Sequence, residues 1–138
     1  MEIFKKEDLL KLIKHLEKID LTSICLEMGA TEETLDKVRV VLHFNDNFIE
    51  DSEMHFYSPI IDGNAITENL IKLNLFSEDL EPIETDEDNP YIFEESLVSV
   101  ELILDFTDEE YFEEQGYYTY GKYYPNEYIE FGDWHPIY

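Results

Sequence analysis

Hydrophobic residues near the beginning of the chain recur at intervals of three and four positions, with lysine and glutamate side chains between them. They are Leu9, Leu12, Ile13, Leu16 and Ile19. This spacing brings the apolar side chains onto one side of a helix, so we predict an amphipathic helix over residues 5–19. Residues 20–22 then favour the start of a second, short helix through Leu26, which Gly29 would close.

Two later segments alternate apolar and polar residues with a period of two, which is the pattern of a strand with one buried side. In residues 37–44 the apolar side carries Val38, Val40, Leu42 and Phe44. In residues 97–106 the apolar side carries Val98, Val100, Leu102, Leu104 and Phe106. We predict a strand in each segment, and we expect the other side of the later strand to direct Glu101 and Asp105 outward.

Weaker patterns predict three further elements between these strands. Residues 54–58 favour a short strand that ends at Pro59. Residues 65–75 favour a helix with Asn64 as its N-cap. The acidic, proline-containing segment 76–96 predicts a long surface loop.

After the second of the two alternating segments, the sequence predicts a short helix followed by tyrosine-rich strands. Thr107 and Glu110 have the spacing of a capping box, so we predict a helix that continues to Gln115. The aromatic residues beyond it suit strands. Turns between those strands are predicted at residues 121–122 and 125–126.

These elements predict one α+β domain spanning residues 1–138, with a mainly antiparallel sheet and helices packed on one face. A chain of 138 residues, of which 43% are hydrophobic, has the length and the apolar content of one domain with one core. No segment repeats at a fixed period, which excludes solenoids and propellers.

Charge divides the chain at Asn45. Before this residue nine acidic side chains accompany seven basic ones, whereas the remainder carries 25 Asp and Glu against two Lys. The remainder therefore has a formal charge of -23, out of -25 for the whole chain. Like charges at this density repel one another, so we expect carboxyl pKa values that are, on balance, raised by folding. Folding does not require such an excess of acidic residues. The excess therefore points to a strongly basic binding partner.

Several classes of function are disfavoured by the sequence. The acidic segments lack the spacing and the glycine of an EF-hand, and no histidine or cysteine pair has the spacing of a zinc site. Neither a nucleophile elbow nor a glycine-rich phosphate loop occurs. We therefore expect no enzymatic activity, no metal and no cofactor. Direct binding of nucleic acid is disfavoured because Lys and Arg side chains neutralise its phosphates.

The sequence also bears on cellular location. Cys25 is the single cysteine, so no internal disulfide can form and nothing indicates an oxidising compartment. The first residues lack the unbroken apolar core of a signal peptide, and no run is apolar enough to cross a bilayer. We expect a cytoplasmic protein that an anionic membrane surface would repel.

We expect the recognition surface in the C-terminal third, where the densest carboxylates adjoin the densest tyrosines. The predicted partner-binding residues are Asp108, Glu109, Glu110, Glu113, Glu114, Tyr117, Tyr118, Tyr120, Tyr123 and Tyr124. The carboxylates would speed the encounter with a basic cleft, and the tyrosines would slow dissociation. For any one tyrosine, the alternative is that it packs within the sheet. The acidic residues in segment 84–88 are a second candidate for the carboxylates that surround the tyrosines at the interface.

In size, charge and class the chain resembles the immunity proteins of bacterial nuclease toxins, a resemblance that assigns no functional residue. It implies a stoichiometric inhibitor of a basic protein that acts on nucleic acid. The first alternative is a DNA-mimic protein from a phage or mobile element that blocks a restriction or CRISPR effector. The second alternative is an acidic chaperone or scaffold module for a basic protein.

Overall fold

The computed structural model describes residues 3–27, 35–44, 53–56, 61, 63–72, 76–81, 97–106 and 116–136. Within these residues the chain forms three helices and five strands. The helices are α1 (Lys6–Glu17), α2 (Leu21–Glu27) and α3 (Gly63–Lys72). The strands are β1 (Leu35–Phe44), β2 (Glu53–Phe56), β3 (Leu97–Phe106), β4 (Gly116–Tyr123) and β5 (Tyr128–Pro136).

All five strands belong to one antiparallel sheet, in the order β2-β1-β3-β4-β5. At its centre, Leu102 of β3 is opposite Val40 of β1 on one side and Gly121 of β4 on the other. Neighbouring strands cover both edges of β3, and eight of its ten residues are buried. This central strand holds β4 and β5 in place on one side of the sheet.

The three helices pack on one face of the sheet, which we call the helix face. The buried strand residues on this face are Val38, Val40, Leu42, Leu97, Val100, Leu102, Leu104, Phe106 and Tyr123. The helices contribute Leu9, Leu12, Leu16, Leu21, Ile24, Cys25, Ile66 and Leu70 to the same core. The opposite face, here called the second face, carries the alternate residues of the strands, among them Arg39, Glu101 and Tyr117.

Complementary charges and local hydrogen bonds define the two ends of α1. At its start, Asp8 Oδ2 accepts a hydrogen bond from the Lys5 amide at 3.0 Å. A negative group here is favoured by the positive end of the helix dipole. At its end, the Ile19 amide donates to the Leu16 carbonyl at 3.2 Å, in a tighter turn that follows the last helical residue, Glu17. The helix is therefore slightly shorter than the predicted segment.

Asp20 caps α2, as the sequence predicts. Its Oδ1 atom accepts the amide hydrogen of Ser23 at 3.2 Å, and its Oδ2 atom accepts the Ser23 hydroxyl at 2.8 Å. These bonds, first of all the one from the hydroxyl, lower the pKa of the Asp20 carboxyl. The cap fixes the point at which the chain leaves α1 and enters α2.

The predicted N-cap of α3 is wrong, because the helix begins at Gly63, one residue before Asn64. The Gly63 amide donates a hydrogen bond to Glu17 Oε1, at the end of α1, at 3.2 Å. A side chain at Gly63 would collide with Ile13 and Glu17, so glycine lets the two helices approach each other. The first amide of α3 is thus satisfied by a residue 46 positions away, which no local pattern reveals.

The predicted turn at residues 121–122 is also wrong, because both residues lie within β4. A Cβ atom on Gly121 would lie 2.9 Å from the carbonyl oxygen of Ile129 in β5. Glycine at this position therefore permits the close approach of two strands. The chain reverses at the second predicted turn, where the Tyr124 amide donates to the Glu127 carbonyl at 2.7 Å.

The predicted α+β class, with an antiparallel sheet and helices on one face, is confirmed. The strand predicted at residues 97–106 has the predicted bounds, and the one predicted at residues 37–44 begins two residues earlier. Residues 82–96 and 108–115, predicted to form a loop and a helix, lie outside the described residues. None of the three described helices combines the length and the apolar content needed to cross a membrane.

Candidate functional site

The five tyrosines predicted to contact a partner lie in β4 or directly after it, and the sheet divides them between its faces. Tyr118 and Tyr123 lie on the helix face, whereas Tyr117 lies on the second face. Tyr120 also packs toward the helices, at an irregularity of the strand. The predicted acidic residues at positions 108–114 lie outside the described residues, so their part in this surface stays a prediction.

Tyr123 belongs to the core. Its side chain is 0% exposed, and its ring makes edge-on contacts with His15 and Tyr128, each at a centroid separation of 5.4 Å. Burial, with the charge of Glu130 as a smaller cause, raises the pKa of Tyr123. Its hydroxyl has no hydrogen-bond partner within the described part of the chain. In the folded protein, this side chain presents no surface to a partner.

A β-bulge interrupts the pairing of β4 with β5. Between the paired residues on either side, Tyr120 alone is opposite Phe131 and Gly132. Gly132 has a φ angle of 83°, a left-handed conformation that glycine adopts readily. A side chain at this position would collide with the hydroxyl of Tyr118. The bulge therefore allows Tyr118 to pack over Gly132 on the helix face.

Tyr120 borders a groove of about 310 Å³ beside the turn that joins α1 to α2. The groove is lined by His15, Lys18, Ile19, Asp20, Ser23, Ile24, Glu27 and Tyr120. Beside it, His15 Nε2 lies 2.9 Å from Glu130 Oε1. Burial, followed by a hydrogen bond to Glu130, raises the pKa of Tyr120 to about 12. Tyr120 is therefore a neutral hydrogen-bond donor at neutral pH, in a groove that carries charges of both signs.

On the second face, an ion pair joins β1 to the central strand β3. Arg39 of β1 donates from Nε to Asp105 Oδ2 at 2.7 Å and from its terminal nitrogen to Oδ1 at 3.1 Å. The two side chains are only 19% and 13% exposed. Asp105 lies on the face opposite the helices, as predicted, but it is mostly buried there, because a neighbouring strand supplies a guanidinium that pairs with it.

Glu101 of β3 is the centre of a second group of charges on this face. Its Oε1 atom lies 2.8 Å from His43 Nε2 and 3.8 Å from Lys122 Nζ. The close approach of His43, as the largest cause, lowers the pKa of Glu101, although burial opposes the shift. Glu101 is therefore a paired carboxylate and is not freely available to attract a partner.

Tyr117 and Tyr124 are the two predicted tyrosines that contact cationic groups. The Tyr117 ring stacks on His135 at a centroid separation of 4.6 Å, and Arg39 Cζ lies 5.5 Å from the ring centroid. Lys122 Nζ lies 5.8 Å from the centroid of Tyr124. Both distances suit cation–π attraction. Of the predicted tyrosines, these two offer their rings to charged groups rather than to the core.

Two apolar side chains of β5 remain exposed, although the sequence gives no reason to separate them from the other aromatic and aliphatic residues. Ile129 is 41% exposed and Phe131 is 54% exposed. Phe131 is one of the two residues opposite Tyr120 in the bulge. A bulge depends on pairing with a particular neighbour, so the sequence offers no local signal for the exposure of Phe131.

The described elements and the remaining segments differ in charge. All nine Lys and Arg residues lie among the described residues, whereas 18 of the 34 Asp and Glu residues lie outside them. On the described second face, Asp105 and Glu101 each have a basic neighbour. Most of the acidic excess therefore belongs to segments that the structure does not describe.

Within the described ranges, no three or more His, Cys, Asp or Glu side chains are grouped in a way that could hold a metal ion. Comparisons with protein-family models, with curated proteins and with solved structures found no match. The charges, the exposed side chains and the geometry of this chain are therefore the observations that bear on its function.

Proposed function

We propose that this protein is a non-enzymatic, stoichiometric inhibitor of a basic protein that acts on nucleic acid, as the immunity proteins of nuclease toxins are. The observation that carries the proposal is the segregation of charge, since residues 45–138 contain 25 acids and two lysines. One of these lysines, Lys122, lies 3.8 Å from Glu101. A protein of this composition attracts strongly basic partners and repels nucleic acid.

Inhibition would follow from competition for a cleft that binds phosphates. Duplex DNA presents about one negative charge per 1.7 Å of its axis. Carboxylates can form ion pairs with the same Lys and Arg side chains that bind its phosphates. Long-range attraction speeds the encounter, and contacts buried in the complex slow dissociation. This mode of action needs no covalent step, and the proposal includes no metal and no cofactor.

We propose a cytoplasmic location, because an inhibitor of a nuclease protects the nucleic acid of the compartment that it shares. Cys25, which is the single cysteine and is buried in the core, forms no internal disulfide, and this suits a reducing compartment. An anionic membrane surface would repel the chain, so the proposal includes no membrane partner.

A pull-down with the tagged chain from its native host, followed by identification of the retained proteins, tests the proposal. We expect one dominant partner with a basic contact domain, whose nuclease activity falls to an end point at a fixed molar ratio. A restriction or CRISPR effector as the dominant partner would support the DNA-mimic alternative instead. Weak, salt-labile retention of many unrelated basic proteins would support the chaperone alternative. The absence of any basic partner would contradict the proposal.

Charge reversal separates a local binding surface from the effect of total charge. Changing Glu109, Glu110 and Glu113 to Lys should slow association with the retained partner, because these acids belong to the predicted recognition surface. The matched control reverses the three acids of residues 78–81, which lie on an exposed turn. Both variants have the same net charge. If they slow association equally, total charge alone acts, and the predicted surface makes no specific contact.

A further inference from the structure

We infer that the exposed side chains of Ile129 and Phe131 form the apolar anchor of the interface with the basic partner, and that Glu127 and Asp133 form its acidic rim. We call these four residues the β5 patch. The inference deepens the proposed function and rests on it, because that proposal supplies the charge of the partner. None of the four residues belongs to the surface predicted from the sequence.

The anchor consists of two neighbouring side chains on one face of a strand. Ile129 and Phe131 are two positions apart in β5, so they project from the same side, roughly 7 Å apart along the strand. A single exposed apolar residue is ordinary on a protein surface. Two adjacent ones, one of them aromatic, provide a contact surface of the kind found at the centre of protein interfaces.

Backbone geometry holds Phe131 in its exposed position. It lies opposite Tyr120 in the bulge between β4 and β5. Bulges occur often at the edges of sheets, where they redirect a side chain. Gly132, with its left-handed φ angle and its close contact with Tyr118, fixes the bulge directly after Phe131. The β-bulge thus holds the ring of Phe131 at the surface.

The charges around the anchor indicate the kind of partner. Glu127 precedes the anchor and is exposed, and Asp133 follows it with a side chain that lies 3.4 Å from His135 Nε2 but remains 63% exposed. The nearest lysine across the strands, Lys122, lies opposite Ile129 and is near Glu101. An apolar anchor with acids at both ends complements a basic surface that has an apolar depression between its Lys and Arg side chains.

A second copy of this chain would be a poor occupant of the β5 patch. Two copies would each bring a formal charge of -25, and their acidic rims would repel. Pairing of two β5 edges is also disfavoured, because a bulge and charged side chains on an edge strand oppose the addition of another strand. The charge of the patch therefore selects a basic protein over a copy of itself.

Serine substitutions test the anchor without changing the charge. The probe is the basic protein that the wild-type chain retains from its host, purified and catalytically inactivated. We expect Phe131→Ser to weaken affinity about 30-fold, mainly through faster dissociation, as for the truncation of an interface hot spot. Ile129→Ser should have a smaller effect. Leu10→Ser is the matched control, because Leu10 is 42% exposed but lies on α1, and it should change affinity by less than about twofold.

Each outcome of this experiment decides a different point. If the wild-type chain binds and both β5 variants bind as tightly as Leu10→Ser, the inference is wrong and the proposed function stands. If the wild-type chain retains no basic protein, the proposed function fails and the inference fails with it. Light scattering should show a monomer, and a dimer that Phe131→Ser dissociates would identify a second copy as the occupant and overturn the inference. Denaturant unfolding verifies that the variants remain folded.

Discussion

Tyr117 and Tyr123 belong to the same strand, yet they lie in different environments on the two faces of the sheet. Tyr123 is fully buried beside His15 and Tyr128 on the helix face. Tyr117 is half-buried on the second face, where His135 and Arg39 contact its ring. In the sequence both belong to one aromatic cluster. In a regular strand two residues six positions apart would share a face, so the irregularity at Tyr120 decides which tyrosine stabilises the core and which remains near the surface.

The two faces are also stabilised by different interactions. On the helix face, truncation of one large buried side chain costs about 2–5 kcal/mol. On the second face, the partly exposed pairs of Glu101 with His43 and of Asp133 with His135 contribute about 1 kcal/mol or less each. The second face can therefore carry binding residues at a smaller cost in stability, whereas the helix face cannot.

The largest expected effect is a difference in the free energy of unfolding between variants of Tyr123 and Tyr117. Tyr123→Ala removes a large buried ring and should lower the free energy of unfolding by about 3–5 kcal/mol. Tyr117→Ala should lower it by about 1 kcal/mol, because its ring is only half-buried and loses one stacking and one cation contact. Urea unfolding measures both values. Equal losses would contradict the division of roles between the faces.

The next largest effect concerns the ion pair of the second face. Asp105→Asn leaves Arg39 without its carboxylate in a site that is mostly buried, and it should lower the free energy of unfolding by about 1–3 kcal/mol. Asp133→Asn is the matched control, because its carboxylate is 63% exposed, and it should change stability by less than about 0.5 kcal/mol. Identical effects would mean that the Arg39 pair contributes nothing specific.

A smaller effect is expected at the hydroxyl of Tyr123. Tyr123→Phe keeps the ring and removes a buried hydroxyl that has no hydrogen-bond partner in the described part of the chain. The variant should be as stable as the wild-type protein or more stable by up to about 1 kcal/mol. Thermal and denaturant unfolding provide the measurement. A clear loss of stability would show that the hydroxyl forms a hydrogen bond, for instance with an ordered water molecule.

The smallest effect is a pH dependence on the second face. The pKa of Glu101 is lowered from its ordinary value of 4.5, chiefly by His43. A carboxyl with a lower pKa in the folded state stabilises that state at neutral pH, and this contribution is lost as pH falls through the folded pKa. The stability difference between the wild-type protein and Glu101→Gln should therefore shrink between about pH 6 and about pH 3. A constant difference would contradict the lowered pKa of Glu101.

The fold could largely be predicted because its main elements carry strong periodic patterns. The alternation in β3 marks both of its ends, and the three- and four-residue spacing in α1 marks its buried side. The wrong predictions, the N-cap of α3 and the turn at residues 121–122, occur where tertiary contacts determine the local structure. Glu17 from another helix satisfies the first amide of α3, and Gly121 allows two strands to approach, so neither residue could be interpreted from its neighbours alone.

The candidate site could be predicted only in part, for a related reason. Composition identifies the acidic excess and the tyrosine-rich strand, but the face on which each tyrosine lies depends on the bulge at Tyr120. The same bulge determines the position of Phe131, which the sequence presents as one aromatic residue among many. The pairing of Asp105 with Arg39 likewise depends on the register between β1 and β3.

Side-chain footprinting of the free chain and of its complex with the basic partner tests most directly the claim that the β5 patch binds. Hydroxyl radicals label exposed side chains, and Phe131, Leu10 and Leu26 are 54%, 42% and 65% exposed, with the two leucines on α1 and α2. We predict that the complex protects Phe131 and Ile129 and leaves both leucines labelled as in the free chain. Protection of the leucines with Phe131 unchanged would contradict the account, because the partner would then bind the helices.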